Sequence, residues 1–132
     1  MQVIEIRNPA MKRNMELVRQ LLLRIEEDKR MDGTQWVCFE ASDFGIPDHS
    51  SEEIAYHLEM LVEEGFVRGK SGFMGMPVIH KLTWKGHEFL DDIRDPDIWT
   101  KTKERAKGLT TVGIELIWEI AKAEIKQKLG LP

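Results

Sequence analysis

The sequence has a single cysteine and no long apolar run, and each absence excludes a class of protein. Cys38 has no partner among the 132 residues, so an internal disulfide is impossible and a reducing cytoplasm is the expected setting. The apolar runs are only a few residues long, far short of the roughly 20 residues needed to cross a bilayer. The first residues also lack the basic start and apolar block of a secretion signal. We therefore expect a cytoplasmic protein with no membrane partner.

The chain also lacks an excess of positive charge, because its 19 Lys and Arg residues are outnumbered by 23 Asp and Glu and the formal net charge is −4. Any binding to nucleic acid must therefore depend on a local patch. Patterns for catalysis or metal binding are missing: His87 lacks the second histidine of a zinc protease helix, and His49 and His57 have no ligands at suitable spacing. Cys38 lies in an apolar run, which predicts a small core residue rather than a nucleophile. We expect no catalytic site, no metal and no cofactor, and hence no enzyme.

The letters GKS, beginning at Gly69, resemble the end of a nucleotide-binding phosphate loop. The upstream glycine of such a loop would be Gly65, which is one residue too close. Further glycines and Pro77 follow at the point where a phosphate-binding helix must begin. A strand, a glycine-rich loop and a second strand fit this stretch better, so it predicts a β-hairpin.

Apolar periodicity and capping residues predict five helices and three short strands. Asn8 and Pro9 are typical of a helix start. Ser50 or Ser51 is typical of the start of the next helix, and Gly65 is typical of its end. The stretch ASDFGIPDHS, residues 41–50, leaves room for one helical turn at most. The predicted helices span about 8–29, 50–64, 83–93, 95–107 and 111–129, and the predicted strands lie in 36–39, 66–70 and 78–82.

This order of elements is that of a winged helix-turn-helix domain, with the helix at 50–64 in the recognition position. We therefore predict an α+β fold, a winged helix-turn-helix domain with a small antiparallel sheet and additional C-terminal helices. Residues 1–10 would be an N-terminal extension, 11–94 the winged-helix domain, and 95–132 a helical extension packed on the same domain. Within the extension, the alternation VIEIR also fits an edge strand.

Three blocks of sequence resemble a known family. They are MKRNMELVRQLLLRIEE, SSEEIAYHLEMLVEEGFV and LTWKGHEFLDDIRDPDIWTKTKE, and they are similar to an uncharacterised family of bacterial and prophage proteins that open with M-K-R-x-M-x-L-V-R. The likeness spans most of the chain from Met11 to Leu129. It implies a winged-helix fold in a prokaryotic or phage setting, and it implies no reaction. Family members begin at the methionine matching Met11, which implies that residues 1–10 are an extension or precede the true start.

A basic segment carries the first functional prediction. From Phe66 to His87 the chain has no Asp or Glu and four cations, which are Arg68, Lys70, Lys81 and Lys85. A basic hairpin can lie along a phosphate backbone or reach into the minor groove, so this wing predicts contact with duplex DNA. Two alternatives stay open. In the first, Phe73 and Met74 at the tip form an apolar contact surface for a protein partner. In the second, the positive charge of the wing merely balances neighbouring acidic residues.

The helix in the recognition position is acidic. Glu52, Tyr56, Glu59 and Glu63 share its exposed face at spacings of four, three and four residues. Phosphates repel carboxylates, so ordinary reading of the major groove by this helix is disfavoured. The face predicts either a surface for a basic protein partner or a solvated charged face.

The last helix is apolar around much of its first half, with Leu116, Ile117, Ile120 and Ala121. This face is broader than a single packing stripe requires. It predicts packing beside the first helix or, alternatively, a homodimer through this helix.

Taken together, these patterns predict a non-enzymatic protein of prokaryotic or phage origin. The leading hypothesis is a DNA-associated transcriptional regulator that makes its contacts through the basic wing, and this leans on fold analogy. The alternative is a protein–protein interaction adapter that uses the acidic helix.

Overall fold

The computed structural model describes residues 11–72, 75–109 and 112–132. Within these residues an α+β architecture forms, which confirms the predicted class. A single 3₁₀ turn, Ala41–Phe44, fills the connection between the first strand and the second helix, as predicted. The helices are α1 (Met15–Glu27), α2 (Ser51–Glu63), α3 (Trp84–Ile93), α4 (Pro96–Ala106) and α5 (Ile114–Lys128), and the strands are β1 (Val37–Cys38), β2 (Val67–Lys70) and β3 (Val78–Leu82).

Side-chain caps fix the starts of three helices at the predicted positions. Ser50, Thr83 and Asp95 each accept a hydrogen bond from a backbone N–H two or three residues ahead, at 2.8–3.1 Å. The end of α2 is also as predicted. Gly65 has a φ of +80°, a conformation that glycine adopts without steric strain, and it lets the N–H of Phe66 turn back to the Leu61 carbonyl at 2.9 Å.

The first helix begins later than predicted. Residues 11–14 are not helical, and α1 begins at Met15 with the side chain of Asn14 accepting a hydrogen bond from the Leu17 N–H at 3.1 Å. The backbone N–H of Asn14 is held by a second contact, since it donates to Nε2 of the buried His57 on α2 at 2.9 Å. A start at Asn8 and Pro9 is therefore wrong, and both residues lie outside the described part of the chain.

The three strands form one antiparallel sheet in the order β1-β3-β2. Val37 on β1 lies opposite Ile79 on β3, and Val67 on β2 lies opposite Leu82. All four side chains are buried in the core that the sheet forms with the helices. Among the described residues the helices cover one face of the sheet, and the other face points away from the core.

This one-sided burial corrects the prediction that Cys38 is a core residue. Cys38 is exposed rather than buried, because side chains alternate along a strand and its neighbours Val37 and Phe39 take the core side. Trp36 is 40% exposed for the same reason. The apolar run therefore forms a half-buried edge strand and not a strand covered on both faces.

Polar contacts tie α1 to the C-terminal helices. Arg19 donates to the backbone carbonyls of Ile93 at 2.8 Å and Arg94 at 2.6 Å, which satisfies acceptors at the end of α3. Glu16 accepts a hydrogen bond of 2.6 Å from the indole N–H of Trp99 on α4. These contacts place α3 and α4 against the first helix.

The last helix packs mainly against α3 and α4, so the predicted packing beside α1 is wrong. Ile117 and Ala121 are the buried apolar residues of α5, and the indole N–H of Trp118 donates to Asp92 on α3 at 2.6 Å. Its predicted start at Thr111 lies outside the described residues.

Close packing explains why the first turn of α3 contains a glycine, Gly86. A Cβ atom at this position would lie 2.0 Å from the backbone carbonyl oxygen of Phe66. The glycine therefore allows α3 to approach the start of β2 closely, and this offsets its poor helix propensity.

No helix in the described part of the chain has the length and apolar character to cross a membrane. The boundaries predicted at residues 10 and 94 stay predictions, and the VIEIR segment lies outside the described residues.

Candidate nucleic-acid interface

The face of the sheet that points away from the core carries the charge of the β2–β3 hairpin. Arg68 and Lys70 on β2 and Lys81 on β3 are exposed, and the strand register places Arg68 directly opposite Lys81. Among the described residues none of the three forms an ion pair with a carboxylate. The three strands contain no Asp or Glu. We call Arg68, Lys70 and Lys81 the basic sheet face, and their charge is available for an anionic ligand.

Lys85, the fourth predicted cation, lies apart from this face. Its ammonium group donates to the backbone carbonyl of Glu64 at 3.0 Å and lies 4.5 Å from the centre of the Phe66 ring. This carbonyl belongs to the C-terminal end of α2, where a cation is favourable. The contact accounts for Lys85 within the fold, so the structure brings three of the four predicted cations together.

Trp36 is the residue at this face that sequence reasoning missed. Its ring lies 4.9 Å from the ring of His80 on β3. The Lys70 ammonium is 4.4 Å from its centre, and the Arg68 guanidinium carbon is 5.8 Å away. An aromatic ring therefore lies among the cations of the basic sheet face. WVCF is apolar at all four positions, so no alternation in the sequence marked Trp36 as an outward-facing residue.

The acidic residues of α2 lie where the helical periodicity predicted. Glu52, Tyr56, Glu59 and Glu63 are all exposed, and in the described ranges none of the three glutamates forms an ion pair. We call these four residues the acidic helix face. Glu59 and Glu63 line one cleft together with Lys70. The two faces of opposite charge thus meet at the hairpin.

A further carboxylate on the flank of α2 is accounted for within the fold. His49 lies with Nδ1 3.1 Å from the carboxylate of Glu53, and this hydrogen bond lowers the pKa of Glu53 below its ordinary value. Glu53 is therefore held in its charged form, which suits the positive N-terminal end of the helix.

The histidines and the cysteine do not assemble into a reactive site in the described ranges. His57 is buried, with Nδ1 donating to the Glu53 carbonyl at 2.8 Å and Nε2 accepting from the Asn14 N–H. This requires the neutral Nδ1–H tautomer and gives His57 a structural role. No group of three or more His, Cys, Asp and Glu side chains suited to a metal ion occurs there either.

The resemblance to a phosphate loop has no structural counterpart. Gly69 and Lys70 are the last residues of β2 and pair with β3, so the lysine belongs to a strand. Phe73 and Met74, the predicted apolar contact surface, lie outside the described residues.

Comparison with known proteins gives two matches. The family model described as "Hypothetical protein (DUF2513)" matches residues 12–113. An "Uncharacterized protein" of Haemophilus influenzae is 32% identical over 125 residues, which cover 91% of this chain and 100% of that protein. No solved structure matches the chain. The family match spans well over half of the sequence, and the chain therefore belongs to the family described as hypothetical protein (DUF2513).

Proposed function

We propose that the protein is a non-enzymatic winged-helix regulator that associates with DNA through the basic sheet face. The order α1, β1, a short helical turn, α2, β2 and β3, with the sheet order β1-β3-β2, is compatible with a winged-helix domain. In this interpretation α2 occupies the recognition position and the β2–β3 hairpin is the wing. A cytoplasmic setting in bacteria or their phages is part of the proposal, and the Haemophilus influenzae relative supports the bacterial one.

The observation that carries the proposal is the exposed positive charge of Arg68, Lys70 and Lys81. Their side chains are exposed on one face of the sheet, without carboxylate partners among the described residues. Phosphate contacts from such cations supply most of the affinity of non-specific DNA binding. The acidic helix face argues against the usual docking of α2 in the major groove, because its glutamates would be repelled by the backbone phosphates. We therefore expect weak binding that depends little on DNA sequence.

A salt titration of binding to random duplex DNA tests the proposal. Three phosphate contacts predict a slope of about −3 in a plot of log affinity against log salt concentration. Replacing Arg68, Lys70 and Lys81 by glutamine should weaken binding, and each lost contact should flatten the slope by about one. Lys85→Gln is the matched control and should leave the slope unchanged, because its ammonium group is directed to the Glu64 carbonyl.

Substitutions on the acidic helix face should act in the opposite direction. Replacing Glu52, Glu59 and Glu63 by glutamine removes repulsion, so the affinity for duplex DNA should rise. The proposal fails if low-salt binding is undetectable, or if neither the cation set nor the glutamate set changes it.

In that event the second candidate function becomes the first choice. The acidic helix face would then be the docking surface of an adapter for a basic protein partner. An exposed aromatic residue on this face supports this candidate, since Tyr56 lies between the glutamates with 38% of its surface exposed.

A further inference from the structure

The basic sheet face contains an aromatic ring that duplex binding does not require. Trp36 precedes β1, and the pairing of Val37 with Ile79 places it opposite His80 on the central strand. Lys70 and Arg68 approach the same ring from β2, at 4.4 Å and 5.8 Å from its centre. With 40% of its surface exposed, the indole is a large apolar ring left open to water among cations.

His80, whose ring lies against that of Trp36, would be a poor choice of residue if this pair served mainly to stabilise the fold. Nδ1 of His80 is buried and has no hydrogen-bond partner among the described residues. A buried, unpaired polar atom is unfavourable, and an apolar side chain would avoid the penalty. The neighbouring outward position on β3 is the apolar Val78. Optimised packing therefore does not account for the combination of Trp36 and His80.

The chemistry of the cluster defines its ligand. Cations bind phosphates, and an exposed indole stacks on a flat π-system, so the two together fit a nucleotide. In a duplex the faces of the bases are hidden in the stack, whereas an unpaired strand offers a base face beside each phosphate. Adjacent strands are spaced about 4.8 Å apart, which puts β1 and β2 roughly 10 Å apart across β3. A base on Trp36 thus leaves its flanking phosphates within reach of the side chains on β2.

The present contact of Lys70 with the ring does not block this arrangement. A cation–π contact at an exposed site is weak, and the lysine side chain is long and exposed. Its ammonium group can move from the ring to a neighbouring phosphate while the base takes its place.

We propose that the basic sheet face binds single-stranded nucleic acid, with Trp36 stacking on an unpaired base while Arg68, Lys70 and Lys81 hold the flanking phosphates. This inference rests on the proposed function and narrows its ligand from duplex to unpaired strand. The sheet is then a stacking platform, and α2 takes no part in binding.

The test compares three fluorescently labelled oligonucleotides of about twelve nucleotides, a length within the usual site size of such platforms. They are an oligothymidylate strand, the same strand with abasic sites throughout, and a duplex of mixed sequence. The full chain should bind the thymidine strand more tightly than either of the others. Trp36→Leu removes the π-face and keeps apolar bulk, so it should lose roughly 5- to 100-fold in affinity for the thymidine strand. It should bind the abasic strand as the parent does.

Two variants serve as controls. Trp36→Phe retains a stacking ring and should keep most of the affinity for the thymidine strand. Trp84→Leu replaces another tryptophan, 82% exposed in the first turn of α3 and outside the three strands, and should behave like the parent. Thermal unfolding of each variant verifies that it is folded. The salt slope should be the same for Trp36→Leu and the parent, because the cations are unchanged.

The outcomes separate this inference from the proposed function. If the parent binds the abasic and thymidine strands equally, the face holds anions only and the stacking inference is overturned. If duplex binds as tightly as single strand and Trp36→Leu changes neither, the inference is likewise overturned while the duplex-binding function stands. Absence of binding to all three oligonucleotides overturns both.

Discussion

At the scale of single residues, His57 and His80 differ in what their ring nitrogens contact. Both nitrogens of His57 are used, one toward the Glu53 carbonyl and the other toward the Asn14 N–H. In His80, Nδ1 is buried without a partner in the described chain. A buried polar group that is hydrogen-bonded stabilises the fold, whereas an unpaired one already lowers the stability of the parent protein.

Leucine substitutions at the two positions should therefore have unequal effects. We expect His57→Leu to lower the free energy of unfolding by about 2 kcal/mol, because it leaves the Asn14 N–H without its acceptor. His80→Leu should leave stability within about 0.5 kcal/mol of the parent or raise it, because it removes an unpaired polar atom. Urea unfolding at neutral pH measures both, and equal losses at the two positions would contradict this account.

These residue-level roles show where sequence reasoning ends. Ser50, Thr83 and Asp95 were predictable as caps, because a cap bonds to backbone only two or three residues away. The role of His57 depends on a residue 43 positions distant, and no local pattern contains that contact. The exposure of Trp36 could not be predicted, because a short apolar run does not reveal whether one face of its strand or both are covered.

At the scale of the elements, a bidentate ion pair joins α1 to the end of α3. The guanidinium of Arg94 donates to the two carboxylate oxygens of Glu26 at 2.9 and 2.6 Å, and also to Asp91 at 2.8 Å. The hydrogen bonds from Arg94 lower the pKa of Glu26, and the nearby His87 acts in the same direction. The pair is partly open to solvent, with 28% of the Glu26 side chain and 40% of the Arg94 side chain exposed.

The lowered pKa of Glu26 determines how stability depends on pH. A carboxyl whose pKa is lower in the folded state contributes its full stabilisation above its ordinary value of 4.5 and loses it as pH falls through the folded value. We expect Glu26→Gln to be less stable than the parent by about 1 kcal/mol at pH 7, after allowance for solvent screening. The difference should vanish at acid pH, well below 4.5.

Urea unfolding of both proteins across this range of pH measures the effect. Glu27→Gln is the matched control. The Glu27 side chain is 63% exposed and its carboxylate lies 3.7 Å from the guanidinium of Arg24, and such an exposed ion pair contributes little to stability. A difference between parent and Glu26→Gln that stays constant down to acid pH would show that the ion pair is not its cause.

The elements themselves were largely predictable, and their partners were not. Helix and strand periods, with glycine and proline at the ends, are local properties of the chain. The packing of α5 on α3 and α4 instead depends on contacts such as the hydrogen bond from Trp118 to Asp92. An amphipathic pattern tells which face is buried but not what covers it. This is why packing beside α1 was the wrong expectation.

At the scale of the whole molecule, the exposed apolar residues of α5 decide where a second copy could dock. Ile117 is 4% exposed and packs inside the chain, whereas Leu116 beside it is 45% exposed. A homodimer through this helix, which stays a proposal, must therefore use the side of Leu116 and not that of Ile117.

Glutamate substitutions at these two positions should have different consequences. Ile117→Glu buries an unpaired charge and should unfold the protein. Leu116→Glu should leave the fold intact and, if the helix is a dimer interface, convert the dimer to a monomer. Thermal unfolding and sedimentation distinguish the two effects. A folded, monomeric Ile117→Glu protein would return Ile117 to the dimer interface and contradict the packing described above.

The contacts of α1 also impose an order in time on folding. The carbonyl acceptors of Arg19 lie 74 and 75 residues further along the chain, and Trp99, which donates to Glu16, lies 83 residues after it. At about 5–20 residues per second, a ribosome delivers those partners roughly 4 to 15 s after it has made the first helix. During this interval the apolar face of α1 has no completed domain to pack against. We therefore expect α1 to complete its native contacts only after Trp99 has emerged, whereas α5, which is made later still, packs onto α3 and α4 last.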